Sequence, residues 1–213
     1  MPLDIIDFVK SLPVRTFDKD ELLLASGDPS DTFFAVREGF IKATTTEDSG
    51  RERLLWIAGR YDIAPLERFF THKMLQYDYV GYTGGSAYVI SKAALHKMLR
   101  EQPGAAFEIA RGLSEHFDDV SERLSAIGKA DVRSKLLHTL YNLSVKFSSG
   151  DITPLHELGL NLTHQDIADM IGASREVVSI ELGKAREDGF VEYDRSTFTV
   201  NAARIREDMG LLA

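Results

Sequence analysis

The side chains best placed to meet a partner are Arg175, Glu176 and Ser179, a guanidinium donor, a carboxylate and a hydroxyl within a turn and a half of one helix. They sit in residues 162–190, LTHQDIADMIGASREVVSIELGKAREDGF, which read as helix, tight turn, helix. Thr163 is an N-cap for the first helix, and Asp166 three residues on makes something close to a capping box. Ile167, Ala168 and Ile171 give that helix a short apolar stripe. Gly172 supplies the positive φ that ends it, and Ser174 caps the next. On the second helix Val177, Val178, Leu182 and Ala185 are expected to face inward, leaving the three polar residues outside. A helix-turn-helix sets the N-terminal residues of its second helix against base edges in the major groove, so the chemistry implied is hydrogen bonding to DNA. A plain helical hairpin with a solvated charged face would carry similar residues. The segment that follows separates the two: Phe190–Tyr193, a turn at Asp194-Arg195-Ser196 and Thr197–Val200 read as a β-hairpin, and the sum is a winged helix.

The pattern LT-x-QDIA-x-x-x-G-x-SRE-x-V resembles the cAMP receptor protein/FNR (Crp/Fnr) family of bacterial transcription regulators, and the likeness extends more loosely over nearly the whole chain. The resemblance implies that Arg175 pairs with a guanine and Glu176 accepts from a cytosine amino group. Both roles suit the side chains, because Arg is bidentate to guanine O6 and N7 and a carboxylate accepts from cytosine N4. Thr163 and Gln165 match positions that touch phosphate in the family, contacts that set register; His164 and Ser174 beside them are expected to take phosphates too, and RNA polymerase is expected as a further partner. Many relatives carry a second arginine where this chain has Ile180, which cannot read a guanine edge but can pack on a thymine methyl. The half-site is therefore expected to differ from the family's, with Ser179 and Ile180 completing the base-reading set.

At 213 residues and 44% hydrophobic, the chain suits one large domain or two small ones with a sizeable core. The absence of cysteine excludes disulfides, cysteine-ligated zinc and the iron–sulfur cluster of the FNR branch. No stretch approaches the roughly 20 apolar residues that span a bilayer. MPLDIIDFVKSLPV also lacks the basic start and apolar run of a signal peptide, so a cytoplasmic protein without a membrane partner is expected. The net charge of −8 is unusual for a DNA binder, and from residue 131 onward nine Lys/Arg face thirteen Asp/Glu. The basic footprint must then be gathered locally, from Arg175, Lys184, Arg186, Arg195 and His164.

The fold class expected is α+β: a β-roll of the cyclic-nucleotide-binding type over residues 1–103, a dimerisation helix over 104–130 and a winged helix-turn-helix over 131–213. Residues 1–20 read as a short helix followed by extended chain, and 21–91 as short strands: ELLLASG, TFFAVREG, FIKATTT, ERLLWIAG, YDYVGYT and SAYVIS. Turns fall at Gly27-Asp28-Pro29, Asp48-Ser49-Gly50 and Gly84-Gly85. The stretch Gly27–Gly39 resembles the start of such a roll. Ala106, Ala110, Leu113, Phe117, Val120, Leu124 and Ile127 then alternate spacings of four and three, a heptad seam fit for pairing with a second copy. Packing of this face on the chain's own roll is the competing reading. Asp131 reads as the N-cap of a further helix to about Phe147, at what the resemblance makes the hinge, and a loop follows through Ser148-Ser149-Gly150 and Pro154.

In cyclic-nucleotide-binding relatives a Gly-Glu-Leu segment holds the ribose and an Arg-Ser pair the phosphate. Here Pro65-Leu66 and Gln76-Tyr77 stand about there, with Arg68 and Lys73 displaced from the expected place. An effector other than cAMP or cGMP is expected. The aromatics Trp56, Phe69, Tyr77, Tyr79 and Tyr82, with Arg68 and His72, either build the roll's core or line a pocket for a small apolar effector. His72 is a candidate haem ligand, and a sensor with no ligand at all is the third reading.

Together these features imply a homodimeric, sequence-specific regulator binding double-stranded DNA. The alternative is a ligand-binding module whose winged helix makes protein–protein contacts. No G-x-x-x-x-G-K-[ST], H-E-x-x-H or G-x-S-x-G is present, so an enzyme is not expected. Effector, operator and sign of regulation are not written in the residues.

Overall fold

The computed structural model describes residues 3–71, 73–129, 131–147, 155–194 and 197–210, and of 3–5, 103, 119 and 122–129 the backbone alone. His72, Ala130, the loop expected at 148–154 and the Arg195-Ser196 turn lie outside the described residues. The chain divides into two compact units, Met1–His116 and Phe117–Ala213.

The first unit contains α1 (Leu3–Lys10), β1 (Val14–Phe17), β2 (Leu22–Leu24), β3 (Thr32–Glu38), β4 (Ile41–Thr46), β5 (Glu52–Ala58), β6 (Ile63–Ala64), α2 (Leu66–Thr71), β7 (Asp78–Gly81), β8 (Gly85–Ser91), α3 (Lys92–Glu101) and the start of α4 (Pro103–Lys129). The strands form two four-stranded antiparallel sheets, β1-β8-β3-β6 and β2-β7-β4-β5. All six expected strands are present. β1, β6, α2 and α3 were not separately expected, and α2 interrupts a stretch that reads as strands throughout.

Why β3 reads as one apolar run becomes clear from its position, next to β8 in the first sheet with Phe34 opposite Val89 and Ala35 opposite Tyr88. Side chains on a strand alternate between faces. Phe34, Val36, Ala87 and Val89 therefore join a core with Phe17, Leu24, Ile41 and Tyr79, drawn from both sheets. Phe33, Ala35, Tyr88 and Ile90 join a second core with Val9, Phe69, Leu95, Met98, Ala105 and Ile109, drawn from the helices. A sheet covered on both faces needs apolar residues at every position, not at alternate ones. The tight turn before β8 needs glycine, since a Cβ on Gly85 would strike the Glu38 carbonyl. α3 is capped by the Ser91 hydroxyl, which accepts from the Ala94 N–H at 3.2 Å, and Pro103 opens α4 at a position where the missing N–H is harmless.

The second unit contains α5 (Val132–Phe147), β9 (His156–Glu157), α6 (His164–Ile171), α7 (Arg175–Glu187), β10 (Val191–Tyr193), β11 (Phe198–Val200) and α8 (Ala202–Met209). The Asp131 carboxylate accepts from the Ser134 N–H at 2.7 Å. That bond, first among its causes, holds the carboxyl below the usual range. α5 buries Leu136, Leu137 and Leu140 and contacts α6, α7 and α8. The wing has one strand more than the expected hairpin: β9 pairs His156 and Glu157 with Val200 and Thr199.

Candidate nucleic-acid interface

The turn between α6 and α7 is built by three small residues. Thr163 and Asp166 form a reciprocal capping box: the Thr163 hydroxyl accepts from the Asp166 N–H at 3.0 Å, and the Asp166 carboxylate accepts from the Thr163 N–H at 2.8 Å. Gly172 ends α6 in the left-handed conformation, at φ 67° and ψ 40°. Ser174 then accepts from the Val177 N–H at 3.3 Å and starts α7. Val178, Leu182 and Ala185, spaced four and three, are fully buried against the rest of the unit. Val177 is not, contrary to the expectation from sequence. It lies one position off that stripe and is 39% exposed, beside Ile180 at 60%.

Arg175 and Glu176 open α7, exposed, and their side chains carry no hydrogen bond or ion pair among the described residues. The other expected basic groups are neutralised locally: Lys184 pairs with Glu181 at 2.6 Å and Arg186 with Glu192 at 3.0 Å. The basic footprint is thus narrower than the five residues expected, with Arg195 outside the described residues.

His164 joins α6, α7 and the wing. Its Nδ1 lies 2.8 Å from the Ser179 hydroxyl, and that hydroxyl also donates to the Arg175 carbonyl at 2.8 Å. A serine has one hydroxyl hydrogen. With that hydrogen on Arg175, Ser179 accepts from His164, so Nδ1 carries the proton and Nε2 is the bare nitrogen of the neutral ring. The ring meets Tyr193 edge-on at 5.5 Å, and Tyr193 stacks on Phe198. Burial, and then the charge of Arg175, hold the imidazole below its usual 6.5. Of the other residues expected at phosphates, Gln165 donates its amide to the buried Asp169 at 2.7 Å. Ser174 is exposed, and among the described residues its hydroxyl accepts from Val177 without donating.

In the first unit the residues expected around an effector divide between the two cores. Tyr79 is buried in the first, with Trp56 and Tyr77 packed half-buried against it; Phe69 is buried in the second. Tyr82 is buried as well. The Tyr79 hydroxyl donates to Glu67 Oε1 at 2.5 Å, and burial, followed by the Glu67 charge, pushes its pKa well above the ordinary phenol value. Arg68 is engaged: its guanidinium donates to the Asp28 and Pro29 carbonyls, each at 2.6 Å, and sits 3.6 Å from Asp31. Gln76 donates to the Met74 carbonyl at 3.0 Å, and Lys73 is exposed. Arg68 and Gln76 are thus committed to nearby carbonyls, whereas a cyclic phosphate out of water needs a placed cation or backbone donors.

Along α4, Ala106, Ala110, Phe117 and Val120 of the expected seam are exposed, Phe117 by 70%. Leu113 leans on the second core, and the side chains of Leu124 and Ile127 lie outside the described residues. Phe107, 70% exposed, adds an apolar group that the seam pattern missed. No helix among the described residues is long and apolar enough to cross a membrane.

A double-sheet roll, a long helix and a winged helix-turn-helix whose Arg175 and Glu176 are exposed and unpaired among the described residues are the parts expected of a DNA-binding regulator. The cyclic nucleotide-binding domain family matches residues 14–102, and the Crp-like helix-turn-helix domain family matches residues 134–206. The CRP-like cAMP-activated global transcriptional regulator of Mycobacterium tuberculosis is 23% identical over 203 residues, covering 94% of this chain and 89% of that one. The anaerobic regulatory protein of Bacillus subtilis is 25% identical over 201 residues, covering 91% and 82%. The fold is shared with the c-di-GMP responsive global regulator CLP of Xanthomonas campestris, at a TM-score of 0.71 and 22% identity over 92% of this chain and 97% of that one. The chain belongs to the Crp/Fnr family and is a DNA-binding transcription regulator of that type.

Proposed function

We propose that the protein binds an inverted-repeat operator as a homodimer paired along α4, with Arg175 on a guanine and Glu176 on the cytosine amino group. The observation that carries this reading is the state of those two side chains: exposed, unpaired among the described residues and set at the capped N-terminus of α7. Ser174 and His164 take phosphates at the rim, while Ser179 positions α7 through His164 and does not itself read a base. The exposed Phe117 and Val120 support pairing with a second copy. The engaged Arg68 and the Tyr79–Glu67 bond support control by something other than a cyclic nucleotide. RNA polymerase is the partner through which a bound dimer would act on transcription.

Selection of bound duplexes from a random pool, at two salt concentrations, tests the reading. An inverted repeat with half-site centres about one helical turn, about 34 Å, apart is the expected product. Within each half-site, Arg175→Ala and Glu176→Ala are each expected to lose about 1–3 kcal/mol of discrimination at one base pair. Selection of single half-sites by a monomer would refute the dimer, and unchanged specificity in both variants would refute the base-reading roles.

A further inference from the structure

We propose that Val177 and Ile180 read the C5 methyl group of a pyrimidine, foremost thymine, in the major groove. The inference rests on α7 being the DNA-reading helix and names what its apolar half recognises. Both side chains are exposed on a helix whose adjacent Val178 and Leu182 are fully buried. They are therefore not surplus from the core stripe. Residues three apart are neighbours on a helix surface, so the two form one apolar patch next to Glu176. The hydroxyl within that patch is turned away, because Ser179 donates to the Arg175 carbonyl and accepts from His164. What remains facing outward is a charged tip, Arg175 and Glu176, followed one turn on by hydrocarbon.

Hydrocarbon gains nothing from the acceptors of guanine or the amino groups of adenine and cytosine, and covering them without a hydrogen bond is unfavourable. The apolar group that standard bases display in the major groove is the thymine methyl. At 1.5 Å per residue, Ile180 lies about 7.5 Å along the helix from Arg175, about two base-pair steps of about 3.4 Å. A T·A pair is accordingly expected about two steps from the G·C pair met by Arg175 and Glu176. 5-Methylcytosine presents the same methyl group.

The test uses the full-length protein and the duplex recovered by selection, with each thymine replaced in turn by deoxyuracil, which removes the methyl and leaves the hydrogen-bonding pattern intact. One or two positions per half-site are expected to weaken binding about fourfold each, the worth of one buried methyl-sized group. Ile180→Ala or Val177→Ala should weaken the thymine duplex by a similar factor and erase the thymine–deoxyuracil difference at its own position. Ile180→Val should keep much of it, and Arg175→Ala should weaken binding while preserving it. A cytosine position that binds tighter after C5 methylation would assign the contact to methylcytosine. A selected duplex indifferent to deoxyuracil everywhere overturns the methyl contact alone. A recovered inverted repeat with no T·A pair about two steps from the G·C pair met by Arg175 and Glu176 likewise overturns the methyl contact, whereas selection left unchanged by Arg175→Ala and Glu176→Ala overturns the base-reading roles on which it rests.

Discussion

Replacing His164 with asparagine should abolish a pH dependence of DNA binding that the native protein shows. In the free protein the Nδ1 hydrogen is committed to Ser179, and Nε2 presents a lone pair. With its pKa held below 6.5 by burial and by Arg175, the ring is neutral at pH 7. A lone pair repels a phosphate oxygen, so a phosphate contact at Nε2 that keeps the Ser179–Arg175 bond requires a second proton. The groups that bear on this proton are Arg175 on α7, the Tyr193 ring on β10 with Arg186 5.5 Å above it, and Asp166 on α6, already engaged in the capping box. Binding then takes up as much as one proton per protomer. The affinity should rise as pH falls from about 8 to about 6, approaching about tenfold per pH unit per protomer where uptake is complete. The imidazolium also releases a counterion, steepening the salt dependence by about 0.9 in slope at the acid end. Folding stability moves the opposite way. A histidine depressed in the folded state contributes stability that is full above its unfolded pKa and is lost as pH falls through the folded one. Asparagine keeps a donor for Ser179 and does not titrate, so its affinity should match the native value at about pH 8 and stay flat below. Fluorescence anisotropy across that range, with calorimetry in buffers of unlike ionisation enthalpy, measures both slope and proton count. A flat native profile, or an asparagine variant that keeps the native slope, refutes the tautomer argument.

Gly172→Val should destabilise the second unit by about 1–2 kcal/mol or more, because a β-branched residue is poorly tolerated at positive φ, while Gly172→Asn should lose less; urea unfolding ranks the two. Phe117→Asp should leave a folded chain, since the ring is 70% exposed, yet shift the elution in gel filtration to a monomer and weaken operator binding. Elution and binding at native values would exclude that face from the dimer. Tyr79→Phe removes a hydrogen bond to a carboxylate and should lower stability by about 1–1.5 kcal/mol, the low end because Glu67 is exposed and can rehydrate. Thermal unfolding reads this loss, and an unchanged midpoint would show that the bond carries no net stability.

The helix-turn-helix was legible because its signals are local: Thr163, Gly172 and Ser174 each act within four residues of themselves. Val177 was misplaced because two adjacent valines both look suitable for the core. Only the packed stripe Val178, Leu182, Ala185 decides which is inside. Arg68 could not be understood from its neighbours, since its acceptors, the Asp28 and Pro29 carbonyls, lie forty and thirty-nine positions earlier. β9 is two residues long and exists by pairing with β11, so no pattern within it could reveal it. The aromatic residues of 56–82 were visible as a group, but whether they line a pocket or fill a core depends on which sheet face each one joins.

The sheet carrying β3 and β8 is a diaphragm. On each strand, neighbouring residues belong to opposite chambers: Phe34 and Val89 to the interior of the roll, Phe33, Ala35, Tyr88 and Ile90 to the chamber that also holds Ala105 and Ile109 at the root of α4. Protein interiors are close-packed and nearly incompressible. A change of volume inside the roll is therefore handed across a single backbone thickness to the foot of the long helix. Phe34 and Ala105 thus belong to the two cores that this one sheet separates.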